Sequence, residues 1–206
     1  WSDYAGADSY SGISQDVPGA DGIGDTAHTT SGATDNYPLM KPAMNGKIYH
    51  PPIRINNDTE FDAAHGVSAG DGSPGDPWVI EDYYIDGGGE GYCIYVGNTT
   101  ESFIIRNCSV YNASGPYVYP YYMNSGIIFN YLLNGTASDN SAYNNSYGIY
   151  LVNYAQANTV SCNDASNNSV DGIAVLSGLS NEICWNTVRD NGDSGIAIRS
   201  SYNNDV

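Results

Sequence analysis

The chain has 206 residues, with six Lys and Arg against 23 Asp and Glu and a net charge of −17. That balance excludes charge-driven binding to nucleic acid or to an anionic membrane surface and fits a solvated exterior in a salty or calcium-containing medium. No apolar run approaches the ~20 residues of a membrane span and no signal-peptide pattern is present, so a mature chain or a piece of a longer one is expected.

Residues 1–47 are rich in Gly and Asp, from Trp1-Ser2-Asp3-Tyr4 to Asp35-Asn36-Tyr37-Pro38-Leu39-Met40, and read as a loop-rich appendage. Within it, Asp21-Gly22-Ile23-Gly24-Asp25 sets carboxylates around a glycine turn, a pattern that can offer oxygen ligands to calcium. Asp8, Asp16, Asp21 and Asp25 are the candidate ligands, a plain Asp-Gly turn being the alternative. No other cofactor is expected. Residues 48–60, with Pro51 and Pro52, read as a linker and a cap at the start of residues 61–206.

From residue 61 onward the text becomes periodic. Gly126-Ile127-Ile128-Phe129, Gly148-Ile149-Tyr150-Leu151, Gly172-Ile173-Ala174-Val175 and Gly195-Ile196-Ala197-Ile198 recur at steps of 22, 24 and 23 residues. A second apolar pair recurs in each turn: Ala137/Ala142, Val160/Ala165 and Ile183/Val188. Cys93-Ile94-Tyr95-Val96 aligns as an earlier turn, with Ile105/Val110 as its pair. The apolar residues alternate over four or five positions and stop at Asn, Ser or Gly, which is the period of a short strand. A unit of this length cannot bury its apolar face alone, so units stack. The expected fold is all-β, a parallel β-helix of about five or more rungs. Ile94, Ile127, Ile149, Ile173 and Ile196 form one interior ladder, with Val96, Phe129, Leu151, Val175 and Ile198 beside it. Asparagines occupy the corners.

Cys93, Cys108, Cys162 and Cys184 lie in the coil without a CxxC pair, a poor zinc set. Disulfides in an oxidising location are expected, with buried free thiols as the alternative; Cys162 and Cys184 should be near neighbours on adjacent rungs. Asn57, Asn98, Asn107, Asn112, Asn134, Asn144 and Asn167 begin Asn-x-Ser/Thr sequons and are glycosylation candidates, unless Asn and Ser are simply common in corners. One turn is lengthened by Gly115-Pro116-Tyr117-Val118-Tyr119-Pro120-Tyr121-Tyr122-Met123. Its tyrosines, Tyr117, Tyr119, Tyr121 and Tyr122, suit a subunit contact, a sugar-stacking platform or a loop folded over its own coil.

Catalysis finds little support. Asp139, Asp164, Asp171 and Asp190 are dispersed, and Arg106, Arg189 and Arg199 accompany no carboxylate cluster. His28, His50 and His65 lack ligand-like spacing for copper. No enzyme is expected.

The segments W-S-D-Y-x-G-x-D, D-G-I-G-D-T and D-N-Y-P-L-M within residues 1–40 resemble the terminal signature of archaeal surface-layer and sheath-type proteins of the NosD-like β-helix family. Ile53-Arg54-Ile55 with Phe61, and Asp76-Pro77-Trp78-Val79-Ile80, resemble the opening of the same family's module. The resemblance implies a right-handed β-helix in which the order of the two parts is permuted, so that Val206 of one copy would meet Trp1 of the next. It implies a secreted, cell-surface structural protein that forms a layer, sheath or filament through head-to-tail contacts with itself. A carbohydrate-binding or adhesive module that takes surface glycans is the runner-up, and a polysaccharide lyase or hydrolase comes third. Trp1, Val206 and the four loop tyrosines are the self-contact candidates.

Overall fold

The computed structural model describes residues 9–11, 17–18, 26–30, 33–36, 47–115 and 124–206. Residues 47–115 and 124–206 wind into a parallel coil with three sheets as its walls. The first sheet holds Trp78–Glu81, Phe103–Arg106, Gly135–Ser138, Thr159–Ser161 and Glu182–Cys184. The second holds Ile48–Tyr49, Tyr83–Gly88, Ser109–Ser114, Ser141–Tyr143 and Asp164–Ala165. The third holds Ile53–Ile55, Tyr92–Gly97, Ser125–Asn130, Tyr147–Val152, Ile173–Leu176 and Ile196–Arg199. Two antiparallel pairs, Tyr10–Ser11 with Val17–Pro18 and His28–Thr30 with Ala33–Asp35, precede the coil.

The register of the third sheet is the one the sequence spacing predicts. Ile94 pairs with Ile127, Ile127 with Ile149, Ile149 with Ile173 and Ile173 with Ile196, and the neighbouring ladder runs Val96, Phe129, Leu151, Val175, Ile198. Ile53 and Ile55 extend both ladders by one rung. The second apolar pairs close the interior from the other walls: Ile105, Ala137, Val160 and Ile183 in the first sheet, and Val110, Ala142 and Ala165 in the second. Removing these side chains from water supplies roughly 1.5–3 kcal/mol for each large aliphatic one, which is why units that are unstable singly hold as a stack.

The corners have a grammar of their own. A residue with left-handed backbone is followed by an inward asparagine: Asp139–Asn140, Asn144–Asn145, Ala157–Asn158, Cys162–Asn163, Asn167–Asn168 and Ser180–Asn181. The second member of each pair is buried. The Oδ1 of Asn163 accepts the backbone N–H of Asn140 at 3.0 Å, and its Nδ2 donates to the Ala137 carbonyl at 2.9 Å. The same bonds recur 23 residues on, from Asn163 to Asn186, and in the parallel columns Asn145–Asn168–Asn191 and Asn158–Asn181–Asn204. Each turn of backbone thus has its corner amides satisfied by the next turn, where solvent cannot reach them.

Phe61 plugs the entrance of the coil, stacked on Trp78 at 5.9 Å and tilted on Phe103 at 5.9 Å. It is carried there by two short 3-10 turns, Asp58–Glu60 and Ala63–His65, capped by Asn57 and Asp62. The Ile-x-Ile and Phe61 segment therefore sits at the coil's start, and Trp78–Glu81 opens its first sheet. A second apolar cluster, Tyr92, Tyr95, Ile128, Tyr150, Val152 and Ala174, is buried on the outer side of the third sheet. The unbroken apolar runs of these strands carried that signal, since strict alternation marks a strand buried on one side only.

Candidate functional site

Three carboxylates of the coil are tied into ion pairs between rungs. Glu81 meets Arg106 at 2.7 Å, Asp164 meets Arg189 at 3.0 Å, and the fully buried Asp171 meets Arg199 at 2.6 Å while accepting the Ser194 N–H. The Asp171 hydrogen bond is the main reason the Arg199 guanidinium is held above its ordinary pKa. Among the described residues no group of three His, Cys, Asp or Glu can hold a metal ion, and no helix is long and apolar enough to cross a membrane. His50 is buried with its Nδ1 donating to the Pro51 carbonyl at 2.7 Å, and His65 bonds Asp62. The calcium candidates Asp8, Asp16, Asp21 and Asp25 lie outside the described residues, as do Trp1, Tyr117, Tyr119, Tyr121 and Tyr122. Val206 is exposed.

The expected disulfides are absent: Cys93, Cys108, Cys162 and Cys184 are all free thiols. The physical reason is register. The coil repeats every 23 residues at its corners, but Cys162 and Cys184 are 22 apart, so Cys184 pairs with Ser161. Cys162 instead falls on the left-handed corner position that Trp185 occupies one rung on, facing out. Cys93 and Cys108 are buried separately, their thiols donating to the carbonyls of Tyr111 at 3.3 Å and Arg106 at 3.4 Å. Burial pushes the Cys93 thiol far up and that of Cys108 up to about 12, so both stay protonated.

All seven sequon asparagines are exposed, and six of them (Asn98, Asn107, Asn112, Asn134, Asn144 and Asn167) hold left-handed backbone. Asn57 caps a 3-10 turn instead. Asn112, Asn144 and Asn167 stack on one corner at consecutive rungs. On the outer face of the second sheet, Tyr111 stacks on Tyr143 at 5.6 Å and its hydroxyl donates to Asp86 at 3.1 Å; burial and then the Tyr84 phenol push both phenols up.

One corner departs from the grammar of the rest. Between the third and first sheets the left-handed column runs Asn98, Tyr131, Asn153 with Tyr154, Ser177, Ser200. Two bulky aromatics stand where Asn or Ser suffices above and below, at φ of 51° and 63°. Left-handed backbone costs such residues about 1–2 kcal/mol each. The inward asparagine is replaced behind them by Leu132 and Ala155. Tyr131 is 61% and Tyr154 70% exposed, and with Thr99, Thr100, Leu132, Leu133 and Gln156 they line a groove of ≈ 420 Å³. Sequence reasoning missed this corner. The available signal was an aromatic residue one or two places after two successive third-sheet strands, Tyr131 after Asn130 and Tyr154 after Val152, where register puts Asn98.

Residues 54–206 match the family described as the right handed beta helix region. No curated protein and no solved structure matches the chain. The matched span begins inside the Ile53–Ile55 strand and runs through every later rung of the three sheets, and so the chain belongs to the right-handed parallel β-helix family.

Proposed function

We propose that the protein is a structural module of an extracellular cell-surface layer, sheath or filament, of the kind that the archaeal surface proteins resembled by residues 1–40 build, and that its copies join head to tail along the coil axis. The observation that carries this reading is the rung Ile196–Arg199. Ile198 is 39% exposed, whereas Val175, Leu151 and Phe129 in the same ladder are fully buried. Among the described residues this strand is paired on one side only, with Ile173–Leu176. A rung of the same register laid against it would bury Ile198 and give Asn186, Asn191 and Asn204 amides to accept, and the entrance of a second copy is a surface that fits. The acidic exterior and the exposed sequons support an extracellular setting. On this reading the coil carries load and spacing, and no catalytic step is assigned to it.

Light scattering and negative-stain images of the purified chain at rising concentration test the proposal. Ordered polymers are expected, and Ile198→Asp, which sets a charge on the open ladder, should shorten or abolish them. A monodisperse monomer at high concentration would count against head-to-tail assembly.

A further inference from the structure

We propose that the corner built by Tyr131 and Tyr154 is a binding strip for an extended, neutral, β-linked oligosaccharide, a function separate from assembly. The chain gives up backbone stability to build it. Among the described residues three aromatics hold left-handed backbone: Trp185 stands alone, backed by the half-buried Asn186, whereas Tyr131 and Tyr154 stand exposed on adjacent rungs over an aliphatic floor. Two exposed aromatics held at strained backbone positions on adjacent rungs point to a function at that place.

The chemistry of the groove selects the ligand. No charged side chain lines it. Tyr131 and Tyr154 present ring faces for the C–H faces of pyranoses, and Leu132 and Leu133 form the apolar base. The phenol hydroxyls of both tyrosines, the Gln156 carboxamide and the Thr100 hydroxyl make no side-chain hydrogen bond within the described residues, so they are available to sugar hydroxyls. Gln156 belongs to the bridged column Leu133–Gln156–Leu179–Tyr202, which runs down the coil beside the tyrosines and ends at another exposed aromatic. The strip therefore lies along the coil axis, with its aromatics one rung apart. A rung is about 4.8 Å, close to the rise of one unit in an extended β-1,4-linked chain. Helical α-linked glucans do not keep that spacing. The net charge of −17 disfavours acidic polysaccharides by simple repulsion.

Native gel electrophoresis in gels containing hydroxyethyl-cellulose, xylan or galactomannan, with dextran as the α-linked control, tests the strip. The protein should be made without glycosylation, so that Asn98, one rung above Tyr131, carries no sugar of its own. Retardation by at least one β-linked polymer and none by dextran is expected. Y131N/Y154N is the informative variant, because Asn is the residue the same column uses at position 98 and it tolerates left-handed backbone. It should keep or raise the melting temperature and lose binding at least tenfold. Retardation by none of the polymers, or retardation that survives both substitutions, overturns the proposal. So does a double variant that still binds but no longer self-associates, which would make the strip a contact between copies.

Discussion

At the scale of single residues, the inward asparagines rank with the large apolar side chains as supports of the coil. Asn163 accepts two N–H groups from Asn140 and donates to Ala137, all in the dry interior, and donates to the half-buried Asn186. Asn163→Ala leaves a buried N–H and a buried carbonyl unpaired, each costing roughly 1–3 kcal/mol, so a loss of about 3 kcal/mol in urea unfolding is expected. The thiols make a second prediction. The Cys108 thiol has a folded pKa of about 12 against an ordinary value of 9.0, chiefly through burial, with Lys47 pulling it down and Asp82 and Glu81 pushing it up. Its neutral form is the one the fold favours. Stability is therefore full below pH 9 and falls as pH rises from 9 towards 12, where the unfolded chain has released the proton and the folded chain has not, by about 1.4 kcal/mol per pH unit. Unfolding midpoints measured across that range should decline less steeply in C108A, and in the native protein Cys162 should react with a thiol reagent long before Cys93 or Cys108.

Among the elements, the strands of the third sheet are held together by a glycine column as much as by isoleucine. A Cβ on Gly126 would lie 2.7 Å from the Gly148 carbonyl oxygen, one on Gly148 2.5 Å from that of Gly172, and one on Gly172 2.7 Å from that of Gly195. Close approach of backbone between rungs, not unusual φ, explains these glycines. Gly148→Ala must push two rungs apart and should cost about 2 kcal/mol or more by thermal or urea unfolding, although alanine is otherwise the mildest of changes. The periodic glycines and isoleucines were legible in the sequence because every rung repeats the same local solution. The corner tyrosines were not, because their exposure depends on which of three corners they turn, and a repeat of fixed length does not say which residues face out. The cysteines show the same limit in reverse: Cys162 and Cys184 are neighbours on adjacent rungs, the Cys162 N–H bonding the Cys184 carbonyl at 3.2 Å, yet a spacing one residue short of the corner repeat sends the two side chains to different positions.

For the whole molecule, net charge and stacking pull in opposite directions. Seventeen excess negative charges repel one another along an elongated coil, while each rung is stabilised only by its neighbours. Raising salt from about 0.05 M to about 0.5 M shortens the Debye length from roughly 14 Å to roughly 4 Å, so the melting temperature should rise by a few degrees and association between copies should strengthen. Calorimetry over that range reads the first effect and light scattering the second.

The coil itself was determined by sequence alone. Turns of near-constant length with apolar residues two apart and polar stops leave stacked parallel strands as the way to bury the same face repeatedly, and the Ile and Val ladders come from counting. Only the tertiary structure decided what the surface does. It separated the outward asparagines from the inward ones, turned the Cys162 and Cys184 side chains to different positions, buried the outer side of the third sheet and set Tyr131 and Tyr154 side by side over a groove. Those outcomes depend on handedness at each corner and on contacts between residues 23 or more apart, where a shift of one position turns a side chain from the interior to the solvent.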